Sequence, residues 1–142
     1  MTYWRLFYHV IWATRERRPL ITEEIAPRLH GRITTKAELM GAVVHCAGGT
    51  EDHVHLVVSV PPTIAIAEFT RQVKGATSHF ANHELSLPSQ FGWQSEYGVV
   101  SFDGKLLDKV VQYVRDQKAH HRDHTTIPVF ERTASTGEAD KP

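Results

Sequence analysis

The sequence predicts an α+β fold: a ferredoxin-like βαββαβ antiparallel sheet followed by an additional C-terminal helix. Three observations carry this. Short runs rich in aromatic and β-branched residues recur four times, two stretches of helical apolar spacing alternate with them, and a third such stretch follows the last run. At 142 residues and 16.1 kDa the chain has enough material for one core, and no internal repeat or low-complexity tract divides it.

Residues 3–13, YWRLFYHVIWA, read as a strand with apolar groups on both faces, so a central one. Residues 23–39 place Ile25, Leu29 and Ile33 at helical spacing behind Thr22 as N-cap, with Pro27 near the start. Residues 41–47 and 53–60 are two strand-like runs joined by the turn GGTED, a β-hairpin closed off by Pro61 and Pro62. Ile66, Phe69, Val73 and Phe80 make 64–83 a second amphipathic helix. Residues 84–98 break the periodicity while carrying Phe91, Trp93 and Tyr97, which either plug the core or stack on a ligand. A short strand at 99–102 and a helix over 104–121, with Leu107, Val110, Val111 and Val114 as its stripe, complete the order. Residues 1–131 are expected to form the domain, and 132–142, RTASTGEADKP, a disordered tail.

Composition narrows the function classes. With 41% apolar and 23% charged residues, the chain is neither wholly disordered nor fibrous. No apolar run approaches the roughly 20 residues of a membrane span, and Arg5 and His9 interrupt any signal-like stretch, so a cytoplasmic protein with no membrane partner is expected. Cys46, the single cysteine, excludes an intrachain disulfide and a multi-cysteine zinc site. Net charge is zero, but residues 1–50 hold seven Lys/Arg against four Asp/Glu, with Arg15, Arg17 and Arg18 clustered after the first strand. These three, with Arg71 and Lys74 on the second helix, are candidate phosphate contacts. Trp93 is a candidate for base stacking.

His53-Val54-His55 is the sharpest local feature. Alternate residues of a strand share a face, so the two imidazoles point together while Val54, Leu56 and Val58 pack oppositely. That is half of a metal site, and the pair would equally suit an exposed sheet face. On the third helix Tyr113 and Gln117 lie one turn apart at the margin of the apolar stripe. A phenol can act as nucleophile and an amide oxygen can ligate a hard cation, although the same positions also suit a core-edge residue and a surface residue. If the hairpin pairs Ala47 with His53, His45 falls opposite His55. His120 and His121 suit a helix C-terminus by complementing its dipole.

Asp52-His53-Val54-His55, then Trp93-Gln94 with Tyr97-Gly98, then Tyr113-Val114-Arg115-Asp116-Gln117 before His120-His121, resemble the small tyrosine transposases of insertion sequences, members of the HUH superfamily related to REP-associated tyrosine transposases. The resemblance runs from about Tyr8 to Phe130. It implies cleavage and rejoining of single-stranded DNA carrying a hairpin, through a 5′-phosphotyrosine intermediate. It also implies a divalent cation, Mg or Mn, held by His53, His55 and Gln117, with Tyr113 as the catalytic nucleophile, and a homodimer that exchanges the tyrosine helix. Such a ligand set has no negative charge, so the DNA phosphate is expected to complete it. Asp116 stands where asparagine is more usual, and its carboxylate would either repel phosphate or bind metal. Two other readings are a host-adopted relative acting on palindromic repeats and a non-catalytic nucleic-acid module stacking bases on Tyr3, Phe7 and Trp12.

Overall fold

The computed structural model describes residues 1–134. Eight elements follow in order: β1 (Tyr8–Ala13), α1 (Ala26–Leu39), β2 (Val43–Gly49), β3 (His53–Ser59), α2 (Ile66–Glu84), β4 (Gly98–Ser101), α3 (Leu107–Arg115) and α4 (Gln117–Asp123). The four strands form one sheet in the order β2-β3-β1-β4, with every neighbouring pair antiparallel. The fold is therefore α+β, a four-stranded antiparallel sheet with four helices among the described residues. None of these helices is long and apolar enough to cross a membrane. From residue 135 onward the expected tail lies outside the described residues.

The period of two along the strands divides the apolar side chains into two cores, one on each face of the sheet. Val10 and Trp12 of β1 and Val54, Leu56 and Val58 of β3 face α1 and α2, where Leu29, Ile33, Phe69 and Val73 complete the main core. The other face carries His9, His53, His55 and Val57, and Val57 packs beneath Val110, Tyr113 and Val114 of α3. Truncating a fully buried residue of the main core, such as Ile33→Ala, is expected to cost about 2–5 kcal/mol in denaturant unfolding, because the close-packed surroundings collapse only partly.

Several boundaries differ from expectation for physical reasons. Strand β1 begins at Tyr8, not residue 3, because its partners run out: Tyr8 pairs with Val58 on one side and Ser101 on the other, and β3 ends before Pro61. Tyr3 is exposed. Helix α1 starts at Ala26, so Pro27 falls in the first turn, where a missing amide hydrogen costs nothing. Thr22 does not cap by side chain; its carbonyl accepts from the amides of Ile25 and Ala26. The expected single helix over 104–121 is instead a 3-10 turn (Gly104–Leu106), α3 and α4, with Asp116 between them at φ −95° and ψ 18°.

Two glycines let backbone segments approach the polar face. An added Cβ at Gly48 of β2 would sit 3.1 Å from the Val114 carbonyl oxygen, so α3 lies directly on the strand. One at Gly98 would collide with the Arg132 carbonyl, which fixes the path of the segment that carries Glu131 over β4.

Candidate active site

On β3 the two histidines are anchored at one ring nitrogen and converge with the other. His53 Nδ1 lies 2.8 Å from Asp52 Oδ1 and 2.9 Å from Thr50 Oγ1. His55 Nδ1 lies 2.7 Å from His9 Nε2 across the β1–β3 pairing. The opposite nitrogens reach a common point: Glu131 Oε1 is 3.5 Å from His53 Nε2 and 3.3 Å from His55 Nε2, and Gln117 Oε1 is 3.2 Å from His53 Nε2. His55 Nε2 is buried and has no hydrogen-bond partner despite that proximity.

The layer above comes from α3, α4 and the short turn at Pro128–Phe130. The Tyr113 hydroxyl donates a very short hydrogen bond to Glu131 Oε2 and accepts one from the Ile127 amide at 2.9 Å. Gln117 Nε2 donates to the same Glu131 oxygen at 3.2 Å. His121 Nε2 stands 3.1 Å from Gln117 Oε1 and 3.2 Å from Glu131 Oε1, and the His120 ring stacks on Tyr113 with centroids 4.6 Å apart. Each Glu131 oxygen therefore has its own side, Oε1 toward the histidines and Oε2 toward the tyrosine.

These contacts set the charges. Burial, reinforced by Glu131, pushes the Tyr113 phenol up to about 12. Burial would raise Glu131, but the facing His55 and the tyrosine hydrogen bond outweigh it and hold the carboxylate down at about 2. Burial lowers His55 and takes His9 down to about 3. The cluster thus rests as a protonated phenol against an ionised carboxylate, with His55 and His9 held toward their neutral forms beneath. Two imidazole nitrogens and one carboxylate oxygen, all within 4.8 Å of one another, are a donor set that could hold a metal ion. With Glu131 in the group, the set carries a negative charge that His53, His55 and Gln117 alone lack.

That charge state has a stability consequence. His9 has a folded value of about 3 against an ordinary 6.5, so between those values the folded chain binds fewer protons than the unfolded one. Its contribution is complete above pH 6.5 and drains as pH falls toward 3, and Glu131 adds a second loss between 4.5 and about 2. Acidifying metal-free protein from pH 7.5 to 5 should cost about 2 kcal/mol through His9 alone. A lower urea midpoint at pH 5 is expected; an unchanged midpoint would contradict a buried neutral His9.

The expected residues divide sharply by position. His53, His55, Tyr113 and Gln117 are brought together, and all four are buried. Trp93 is not offered for stacking: its ring packs in the core against Phe91 and Trp12, and its indole N–H donates to Thr77 Oγ1. Trp12 is fully buried as well, which removes a platform from the non-catalytic nucleic-acid reading. Arg71 is exposed and clamped on Glu68, while the half-buried Lys74 ammonium donates to the carbonyls of Gln94 and Glu96. Arg15, Arg17 and Arg18 occupy an exposed turn, with Arg15 against Gly92 and Arg17 3.8 Å from Asp52. Arg17 therefore faces the carboxylate that holds His53.

Other expectations are corrected by register and by the C-terminal turn. A bulge between Val44 and Cys46 places Gly48 opposite His55, and His45 instead meets Ser59 Oγ at 2.8 Å. His120 and His121 join the cluster instead of merely ending a helix. Asp116 points away, accepting from Gln112 Nε2 at 2.9 Å. Sequence reasoning missed Glu131 and His9. The only available signal for His9 was a titratable residue inside an apolar central strand, and nothing local marked Glu131.

Comparison with known proteins places this chain among transposases. Residues 2–117 match the family described as "Transposase IS200 like". The ISDra2 transposase TnpA of Deinococcus radiodurans is 26% identical over 119 residues, covering 80% of this chain and 85% of that protein. The transposase for insertion sequence element IS200 of Salmonella typhimurium is 25% identical over 127 residues, covering 82% and 79%. Among solved structures, a candidate transposase from D. radiodurans superposes with a TM-score of 0.64 at 26% identity, covering 82% of this chain and 95% of that one. A REP-associated tyrosine transposase bound to a REP hairpin has the same fold, with a TM-score of 0.62 at 14% identity over 99% of this chain and 96% of that one.

Proposed function

Because this chain belongs to the IS200-like transposase family, we propose that it cleaves and rejoins single-stranded DNA by transesterification, with Tyr113 as nucleophile. The observation that carries this reading is the Tyr113 hydroxyl held on a carboxylate whose other oxygen faces the two Nε2 atoms of His53 and His55. The sheet is read as ferredoxin-like from its β2-β3-β1-β4 order, with residues 1–131 as the catalytic domain of a cytoplasmic enzyme. Its substrate is a single strand bearing a hairpin.

His53, His55 and Gln117, with Glu131, would hold a divalent cation, magnesium or manganese. Bound there, the cation supplies electrophilic assistance at the scissile phosphate and stabilises the leaving 3′-oxygen. The chain's own groups do the rest. Glu131 Oε2 and the Ile127 amide fix the direction of the Tyr113 hydroxyl. With the phenol at about 12 and the carboxylate at about 2, the proton stays on tyrosine at rest. Proton loss therefore accompanies attack: as Oη bonds to phosphorus its acidity rises steeply, and Glu131 Oε2 already lies in position to accept. The P–O3′ bond breaks, and the leaving 3′-oxygen takes up one proton, balancing the one that Tyr113 gave to Glu131, to become a hydroxyl. The phosphodiester energy stays in the tyrosine ester, and reversal by a 3′-hydroxyl rejoins the strand.

Tyr113 stands beside the histidines of its own chain, 6.1 Å from His55 between ring centroids. Each chain then has a complete set of residues, and a homodimer would pair two such sites. Mixing Tyr113→Phe with His53→Ala chains should restore no cleavage; recovery in verified heterodimers would show that the tyrosine acts across subunits. The direct test of the reading is strand-specific. With manganese, a hairpin-bearing single strand from the flanks of the gene should be cut while the same sequence as a full duplex is not. Equal cleavage of both would contradict it.

A further inference from the structure

We infer that His9 is a positioning residue: by accepting a hydrogen bond from His55 Nδ1–H it keeps the His55 Nε2 lone pair free for the cation. This rests on the metal-site reading above.

The geometry requires a shared proton. His9 Nε2 and His55 Nδ1 are 2.7 Å apart, the rings are 4.9 Å apart between centroids, and both residues are almost wholly buried. Two neutral imidazoles in such contact hold one hydrogen between them, since two hydrogens would clash and two lone pairs would repel. If it belongs to His9, then His55 carries its own hydrogen on Nε2 and cannot ligate. If it belongs to His55 Nδ1, then Nε2 is a ligand. Metal-bound histidines characteristically donate their remote N–H to a fixed acceptor, and His9 is the acceptor in reach.

The surroundings explain why this acceptor is an imidazole. His53 lies at the hairpin end of β3, where partly exposed Asp52 can serve it. His55 lies deeper, with no exposure, and an aspartate beside it would be a buried charge. A neutral imidazole accepts without that penalty. The edge of His9 meets Phe130 at 4.7 Å between centroids, and its Nδ1 is buried without a partner. An apolar side chain would avoid that orphan atom, so packing alone does not account for histidine here.

The test begins with the intact protein, loaded with zinc as a diamagnetic probe. Long-range nitrogen–proton correlation spectra should show His55 protonated at Nδ1 and coordinated through Nε2. Coordination through Nδ1, or a proton remaining on His55 Nε2, would overturn the inference without reference to any variant. Calorimetric titration with manganese then compares variants. His9→Leu should weaken binding 10- to 100-fold, and His9→Gln, whose amide oxygen can accept, should stay within about threefold of the parent. Parent-like affinity in a cooperatively melting His9→Leu protein would overturn it; were that variant unfolded, the zinc spectra of the parent decide. His55→Ala separates the two claims. Parent-like manganese binding by His55→Ala would defeat the metal-site reading itself, whereas lost binding there with parent-like binding in His9→Leu defeats only the role of His9.

Discussion

Replacing Tyr113 with phenylalanine is expected to drop strand cleavage below about one-thousandth of the parent rate, since removing a nucleophile leaves only binding and electrostatic contributions. The ring stays: it packs on His120 and Phe130, and the phenylalanine ring keeps those contacts. The lost hydroxyl takes with it one hydrogen bond to Glu131 and one from the Ile127 amide, a cost of about 1–3 kcal/mol in folding. Single-strand binding, followed by gel shift without turnover, should remain within severalfold of the parent. Cleavage by Tyr113→Phe at a tenth of the parent rate or more would remove Tyr113 from the chemistry.

Removing either strand histidine should have a comparable effect by a different route. His53→Ala and His55→Ala each delete an imidazole whose Nε2 faces Glu131 and whose Nδ1 is anchored. Manganese affinity should fall at least about 100-fold in each, beyond what loss of an outer-shell partner produces, and cleavage should fall with it. Gln117→Ala removes a neutral amide oxygen and should give a smaller defect, partly recovered at high manganese. Loss of cleavage in the histidine variants with undiminished metal affinity would make the pair structural.

The sheet and its two helical partners were legible because binary pattern specifies them: each strand buries alternate residues and each helix one stripe. The same period of two put His53 and His55 on one face, since Val54, Leu56 and Val58 had to fill the main core. Helical spacing likewise brought Tyr113 and Gln117 together, even though Asp116 interrupts the helix. Strand ends were less legible, because where β1 starts depends on where its neighbours stop. His9 was hidden by register: only the pairing of Ile11 with His55 places it diagonally across from that histidine. Glu131 was hidden by distance along the chain. It arrives 14 residues beyond Gln117, guided by the turn at Pro128–Phe130 and by the absence of a side chain at Gly98. Trp93 was open to two readings, since an aromatic in an irregular loop suits either the core or a ligand until its burial against Trp12 is known.

Esterification of Tyr113 to DNA is read out by mass spectrometry of the covalent product. Protein incubated with a hairpin-bearing single strand and manganese, then digested with protease and nuclease, should yield a peptide spanning Tyr113 with a nucleotide linked through its 5′-phosphate. A linkage at any other residue, or cleaved strands with no protein adduct under conditions that trap the intermediate, would contradict it.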